Sequence, residues 1–78
     1  MNKHAKFAAK IADQIGSYAV SHDPRAFTVD PGKLGRLASS APLAAKYAAC
    51  KAMNVAIQKT GTLTEADVKT AFEAAGLN

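Results

Sequence analysis

Three side chains other than the carboxylates have the chemistry of a nucleophile, a general base or a metal ligand: His4, His22 and Cys50. Covalent catalysis needs a nucleophile activated by a base, and the base must in turn be oriented by a third group. A pair of Cys50 and His22 has no such third group in the sequence, and the chain contains no CxxC, HExxH, GxSxG or glycine-rich phosphate-binding motif. The sequence therefore predicts a non-enzymatic protein with no catalytic residues, no metal site and no cofactor, and leaves an enzyme as a remote alternative.

Lysine and arginine are the other chemically informative residues, because they bind carboxylates and phosphates. Ten of them stand against six acidic residues, which gives a net charge of +4. Residues 1–61 hold nine basic and three acidic side chains, a local net charge of +6, so a basic surface is expected there. The predicted basic partner-binding surface comprises Lys3, Lys6, Lys10, Lys33, Arg36, Lys46 and Lys51. Lysines on a solvated helix face show the same spacing, so a purely structural role stays open.

The elements that must position these residues are helices, because apolar residues recur at helical spacing between capping signals. We predict an all-α fold, a single domain over residues 1–78 in which four helices form a small bundle. Their lengths run long, short, long and short-to-medium, with predicted ranges of 2–21, 31–38, 41–60 and 65–75. We expect the first helix to pack against a largely buried third helix, the second to bridge them and the fourth to close the bundle.

The first helix carries a continuous apolar arc that includes Phe7 and Ile11. It is expected to end at Ser21, because Pro24 disfavours helical geometry in the residue before it. An extended connector over residues 26–29 should follow, and we expect its Phe27 to pack against the core.

Local signals mark the two middle helices. Asp30 followed by Pro31 predicts an N-cap with proline at the first helical position. Ser39 or Ser40 is expected to cap the third helix, and Gly61 is expected to end it.

The last helix is the most completely specified. Thr64 and Asp67 have the spacing of a capping box, and Gly76 with Leu77 predicts a Schellman ending. A ladder of solvated ion pairs at a spacing of four residues is predicted on its outer side for Glu65, Lys69 and Glu73.

The third helix is apolar over a wide arc. Its predicted apolar face comprises Ala45, Ala48, Ala49, Ala52, Val55 and Ala56. Such a face either packs inside a compact monomer or binds a partner, which includes a second copy in a homodimer. Cys50 lies beside Leu43 and Ile57 on the helical wheel, which predicts a small core residue rather than a reactive thiol.

The junction between the second and third helices has the helix, turn, helix outline of a DNA-binding motif, and a helix N-terminus can hold a phosphate. The third helix would begin with Leu43, Ala44 and Ala45, where side chains that read bases are needed. A capped corner between two helices is therefore the better interpretation.

These observations predict a small helical protein that occupies a surface of a larger protein or protein–nucleic-acid complex, as an inhibitor or adaptor. A partner with an acidic surface fits the basic charge. The alternative is a small basic DNA-binding protein that contacts phosphates directly. A single cysteine predicts a reducing, cytoplasmic location, and no membrane binding is expected because an arc dominated by alanine inserts weakly.

Overall fold

This computed structural model describes residues 2–77, which contain four α-helices and two short 3₁₀ turns joined by turns and extended chain. Met1 and Asn78 of the predicted 1–78 domain lie outside the described residues. The helices are α1 Lys3–Tyr18, α2 Pro31–Leu34, α3 Leu43–Thr60 and α4 Glu65–Ala74, and the 3₁₀ turns are Pro24–Ala26 and Gly35–Ala38. No strand occurs within these residues, so the all-α prediction is confirmed.

Apolar side chains from all four helices and from the connector after α1 meet in one core. Its most deeply buried large members are Ile11, Met53, Ile57, Val68 and Phe72. Phe27 is buried as well, as the sequence predicted for the connector. The core thus includes the chain between the helices as well as the helices themselves.

The packing order differs from the prediction. The shortest of the three longer helices, α4, packs against both α1 and α3, whereas the two long helices approach each other at few positions. Val68, Ala71 and Phe72 form the buried stripe of α4, and the fully enclosed Phe72 ring fills the space between its neighbours. The fourth helix is therefore the central contact of the bundle rather than its closing element.

The first helix ends at Tyr18, three residues before the predicted Ser21. The chain leaves the helix in tight turns, in which the Ser21 and His22 N–H groups both donate to the Tyr18 carbonyl. This turn stacks the His22 ring on the Tyr18 ring, with 4.4 Å between the centroids. Val20 lies beyond the last residue of the helix and is 87% exposed.

The second predicted helix, 31–38, is divided in two. Asp30 caps α2 as predicted, its Oδ1 accepting from the Lys33 N–H at 3.2 Å. Gly35 then adopts a φ of 52°, which no α-helix contains, and the chain continues as a 3₁₀ turn.

The third helix begins at Leu43 rather than at residue 41. Pro42 occupies the N-cap position, so neither Ser39 nor Ser40 is the cap that the sequence predicted. The reason is steric, because proline disfavours helical geometry at the residue before it and Ala41 is therefore excluded from the helix. Gly61 ends α3 as predicted, with a φ of 74°.

The signals in α4 are confirmed, except for the ion pairs. Thr64 Oγ1 accepts from the Asp67 N–H at 3.2 Å, and Asp67 Oδ2 accepts from the Thr64 N–H at 2.9 Å. The Leu77 N–H donates to the Phe72 carbonyl at 2.7 Å, which is the long bond of a Schellman ending. The predicted ladder on the outer side of α4 forms no ion pair within residues 2–77, and Glu65 instead accepts a hydrogen bond from Asn2.

Candidate functional site

The candidate catalytic groups are far from activated. Cys50 is 3% exposed, and burial, together with the negative charge of Asp30, raises the pKa of its thiol. A thiol that remains protonated is a poor nucleophile. Neither the exposure of Cys50 nor the pKa of its thiol therefore favours a nucleophilic role for this residue.

The two histidines are engaged in packing. The His22 ring stacks on Tyr18 and its Nδ1 lies 3.0 Å from Ser21 Oγ. His4 meets Phe72 edge to face at 5.4 Å, and its Nε2 is buried without a hydrogen-bond partner in residues 2–77. Across the same residues, no group of three or more His, Cys, Asp or Glu side chains is placed to hold a metal ion.

Three of the seven cationic residues predicted to form a surface converge on one groove. We call it the basic groove; it has a volume of 290 Å³ and is lined by Lys3, Lys6, Phe7, Leu34, Arg36 and Leu37. The first turns of α1 supply its lysines, and the 3₁₀ turn after α2 supplies Arg36. The division of the second helix at Gly35 thus places Arg36 opposite α1.

The other four predicted cations lie elsewhere. Lys10 is exposed one turn beyond Lys6 on α1. Lys33 places its Nζ 4.4 Å from the centre of the Phe27 ring, in a cation–π contact. Lys46 is half-buried and Lys51 lies on the opposite, exposed side of α3. The seven residues therefore do not form one continuous surface.

A second depression continues from the basic groove. It has a volume of 370 Å³ and is lined by Lys3, Leu37, Ala38, Ser40, Ala41, Pro42, Gly76 and Leu77. Lys3 and Leu37 line both, so the two depressions are adjacent.

The predicted apolar face of α3 is divided between core and surface. Ala49 is buried, and Ala52 and Ala56 are half-buried against the core. Ala45 is also half-buried, whereas Ala48 and Val55 are exposed. The buried stripe of α3 consists of Ala49, Cys50, Met53 and Ile57. The helix is therefore rotated about its axis relative to the prediction, and of the predicted face only Ala49 belongs to this stripe.

The exposed side of α3 carries a different apolar cluster. Leu43 and Tyr47 are each 59% exposed and Val55 is 44% exposed, which makes three of the four large exposed hydrophobic residues described, Val20 being the fourth. We call this surface the outer face of α3; it comprises Leu43, Ala44, Tyr47, Ala48, Lys51 and Val55. The large residues of this face follow an i, i+4, i+12 spacing that is visible in the sequence. The rest of the helix is also apolar because of its alanines, so the sequence did not show which side is exposed.

A cleft lies between the outer face and the extended chain that precedes α2. We call it the connector cleft; its volume is 490 Å³ and it is lined by Val29, Asp30, Pro31, Tyr47, Cys50, Lys51, Asn54, Val55 and Gln58. Asn54 fixes one wall, since its Oδ1 accepts from the Val29 N–H at 2.7 Å and its Nδ2 donates to the Val29 carbonyl at 3.0 Å. The cleft can receive an apolar side chain from a partner seated on the outer face.

None of the helices described between residues 2 and 77 combines the length and the apolar character that crossing a membrane requires. Comparison of the chain with protein-family models, with curated protein sequences and with solved structures gives no match.

Proposed function

We propose that the protein is a non-enzymatic binding protein that occupies an apolar and acidic patch of another protein through the outer face of α3. The observation that carries this proposal is the exposure of three large hydrophobic side chains, Leu43, Tyr47 and Val55, on a single helix. Exposed apolar surface bordered by polar residues marks interaction sites, and tyrosine is enriched at interfaces.

Folding does not account for this cluster. The inner side of α3 already supplies Ala49, Cys50, Met53 and Ile57 to the core. Leu43, Tyr47 and Val55 lie outside that buried stripe and remain exposed to water in the isolated chain. Binding of a partner to this surface would therefore remove more apolar area from water, which favours the complex.

Charge favours an acidic partner over a second copy of the chain. The helix α3 contains Lys46, Lys51 and Lys59 and no acidic residue. In a two-fold dimer the same patch meets itself, so each copy would bring Lys51 and no carboxylate of the outer face to the interface. A partner with carboxylates around an apolar centre would instead pair with Lys51.

Such a protein acts by covering a surface, which is the action of an inhibitor or an adaptor. The connector cleft supports this role because it gives a partner's apolar side chain a place to anchor beside Tyr47 and Val55. The free thiol of Cys50 is consistent with a reducing compartment, and we propose a cytoplasmic location on that basis.

The experiment uses two identical substitutions at two exposed valines. Val55→Glu introduces a negative charge into the outer face of α3, and Val20→Glu introduces the same charge into the turn after α1. Affinity purification from a nuclease-treated lysate should recover a stoichiometric protein with the wild type and with Val20→Glu, and lose it with Val55→Glu. Circular dichroism checks that both variants remain helical.

Two results would contradict the proposal. The first is recovery of the same protein by both variants, which would remove the outer face from the interface. The second is a solution mass of two copies that returns to one copy in Val55→Glu, which would make a second chain the occupant and give a homodimer.

The second candidate is a DNA-binding protein, favoured by the convergence of Lys3, Lys6 and Arg36 in the basic groove with Lys10 one turn away. Direct phosphate binding predicts a salt-dependent shift of a random duplex that Lys6→Glu combined with Lys10→Glu abolishes. An unchanged shift in that variant would remove these lysines from any nucleic-acid interface.

A further inference from the structure

The basic groove combines a cationic rim with an apolar floor. Lys3, Lys6 and Arg36 form the rim. The floor consists of Phe7 and Leu34, which are buried core residues, and the half-buried Leu37. A ligand in this groove therefore meets positive charge at its edges and aliphatic surface beneath.

Within residues 2–77, the cations of the rim form no ion pair. In the described part of the chain, no side-chain carboxylate lies within 4.0 Å of Lys3, Lys6 or Arg36, and the ion pair that does form joins Arg25 to Asp23. Glu65 lies near the start of α1, but it accepts its hydrogen bond from Asn2. The rim is thus free to pair with carboxylates supplied from outside.

We propose that the basic groove binds an acidic segment of another protein in which carboxylates alternate with apolar side chains. The carboxylates pair with Lys3, Lys6 and Arg36, and the guanidinium of Arg36 can hold one of them through two parallel hydrogen bonds. The apolar side chains cover Leu37, the half-buried residue of the floor. Further residues of the segment can lie in the adjoining depression toward Gly76 and Leu77.

A peptide fits this groove better than a nucleic acid does. Bases stack on exposed aromatic faces, and Phe7, the aromatic residue of the groove, is only 6% exposed. The sugar–phosphate backbone carries no apolar side chain for the floor. Three converging cations would also release only about three counterions, which gives weak binding to nucleic acid at physiological salt.

This inference goes beyond the proposed function and stands without it. The basic groove and the outer face of α3 share no lining residue. A protein with an acidic-segment groove on one surface and a second binding face on another is able to join two partners, which is the action of an adaptor.

The test is an NMR titration of the full chain with a short peptide that alternates glutamate and leucine. The amide signals of Lys3, Lys6, Arg36 and Leu37 should shift. Two matched peptides separate the contributions, since one replaces every glutamate with glutamine and the other replaces every leucine with glycine. Each control peptide should bind at least about tenfold more weakly, because the first has lost the carboxylates and the second has lost the apolar side chains.

Charge reversal locates the site. Lys6→Glu combined with Arg36→Glu should abolish the shifts, whereas Lys59→Glu combined with Lys69→Glu makes the same change of total charge away from the groove and should preserve them. Should the first pair unfold the chain, Lys6→Gln with Arg36→Gln removes the rim charges without introducing negative ones and should still abolish binding.

Three outcomes overturn the inference. The first is the absence of shifts at the groove residues, and the second is equal binding of the leucine-free peptide. In the third, a single-stranded oligonucleotide produces the same shifts with the higher affinity, which would assign the groove to nucleic acid.

Discussion

At the scale of single residues, Asn54 is the clearest case of a role that the sequence did not reveal. On a helical wheel it joins Tyr47, Lys51 and Gln58 in a polar strip, which predicts a solvated side chain. Its amide instead makes both hydrogen bonds of the Val29 backbone, as a neighbouring strand would. The partner lies 25 residues away and is a backbone group, so no side-chain pattern announces it.

Replacement of Asn54 should therefore cost more than its half-exposed position suggests. Asn54→Ala leaves the Val29 N–H and carbonyl without partners in a partly buried position and should lower the free energy of unfolding by about 1–3 kcal/mol. Gln58→Ala, one turn later and exposed, should change it by less than about 0.5 kcal/mol. Urea denaturation measures both, and equal effects would show that the pair of bonds does not hold the connector.

At the scale of the elements, the sequence correctly predicted those features that depend on contacts between residues close together in the chain. The capping box of Thr64 and Asp67 and the stop at Gly61 depend on groups within a few residues, and both formed as expected. The orientation of α3 was not predictable in this way, because Ala48 and Ala49 are equally apolar and a wheel cannot tell which one is buried. The direction is decided by packing against other elements, above all α4.

The capping box gives a test at this scale. Thr64→Ala removes the acceptor for the Asp67 N–H and should lower the free energy of unfolding by about 0.5–2 kcal/mol. Thr62→Ala serves as the control, because only the backbone of Thr62 takes part in hydrogen bonds. Thr64→Ser should restore most of the stability in thermal or urea unfolding, and a serine variant as weak as alanine would argue against capping as the cause.

At the scale of the whole molecule, the all-α class and the four helices follow from the sequence, but the packing order and the candidate surfaces do not. A broad alanine arc and a net charge of +4 fit several arrangements. Packing decides among them, since it leaves Leu43, Tyr47 and Val55 outside and brings Arg36 to α1. These contacts join elements that are distant in the sequence, where periodicity carries no information.

Cys50 reports on the integrity of this packing. Because the thiol is buried and its pKa is raised, alkylation of the native protein should be slow and should accelerate in urea along with unfolding. The raised pKa also means that the contribution of this group to stability is present below the thiol's unfolded pKa and is lost as the pH rises through the folded value. Native alkylation as fast as that of the urea-unfolded chain would contradict the buried position.

The two ends of the described chain lie at the same side of the molecule, since Lys3 lines the basic groove and Gly76 and Leu77 line the depression that continues from it. An affinity tag or a fluorophore fused to either terminus therefore begins within a few residues of the proposed peptide site. The turn after α1 is the better attachment point, because Val20 is 87% exposed and belongs to neither candidate surface. A label attached to the side chain at position 20 leaves both the groove and the outer face of α3 uncovered.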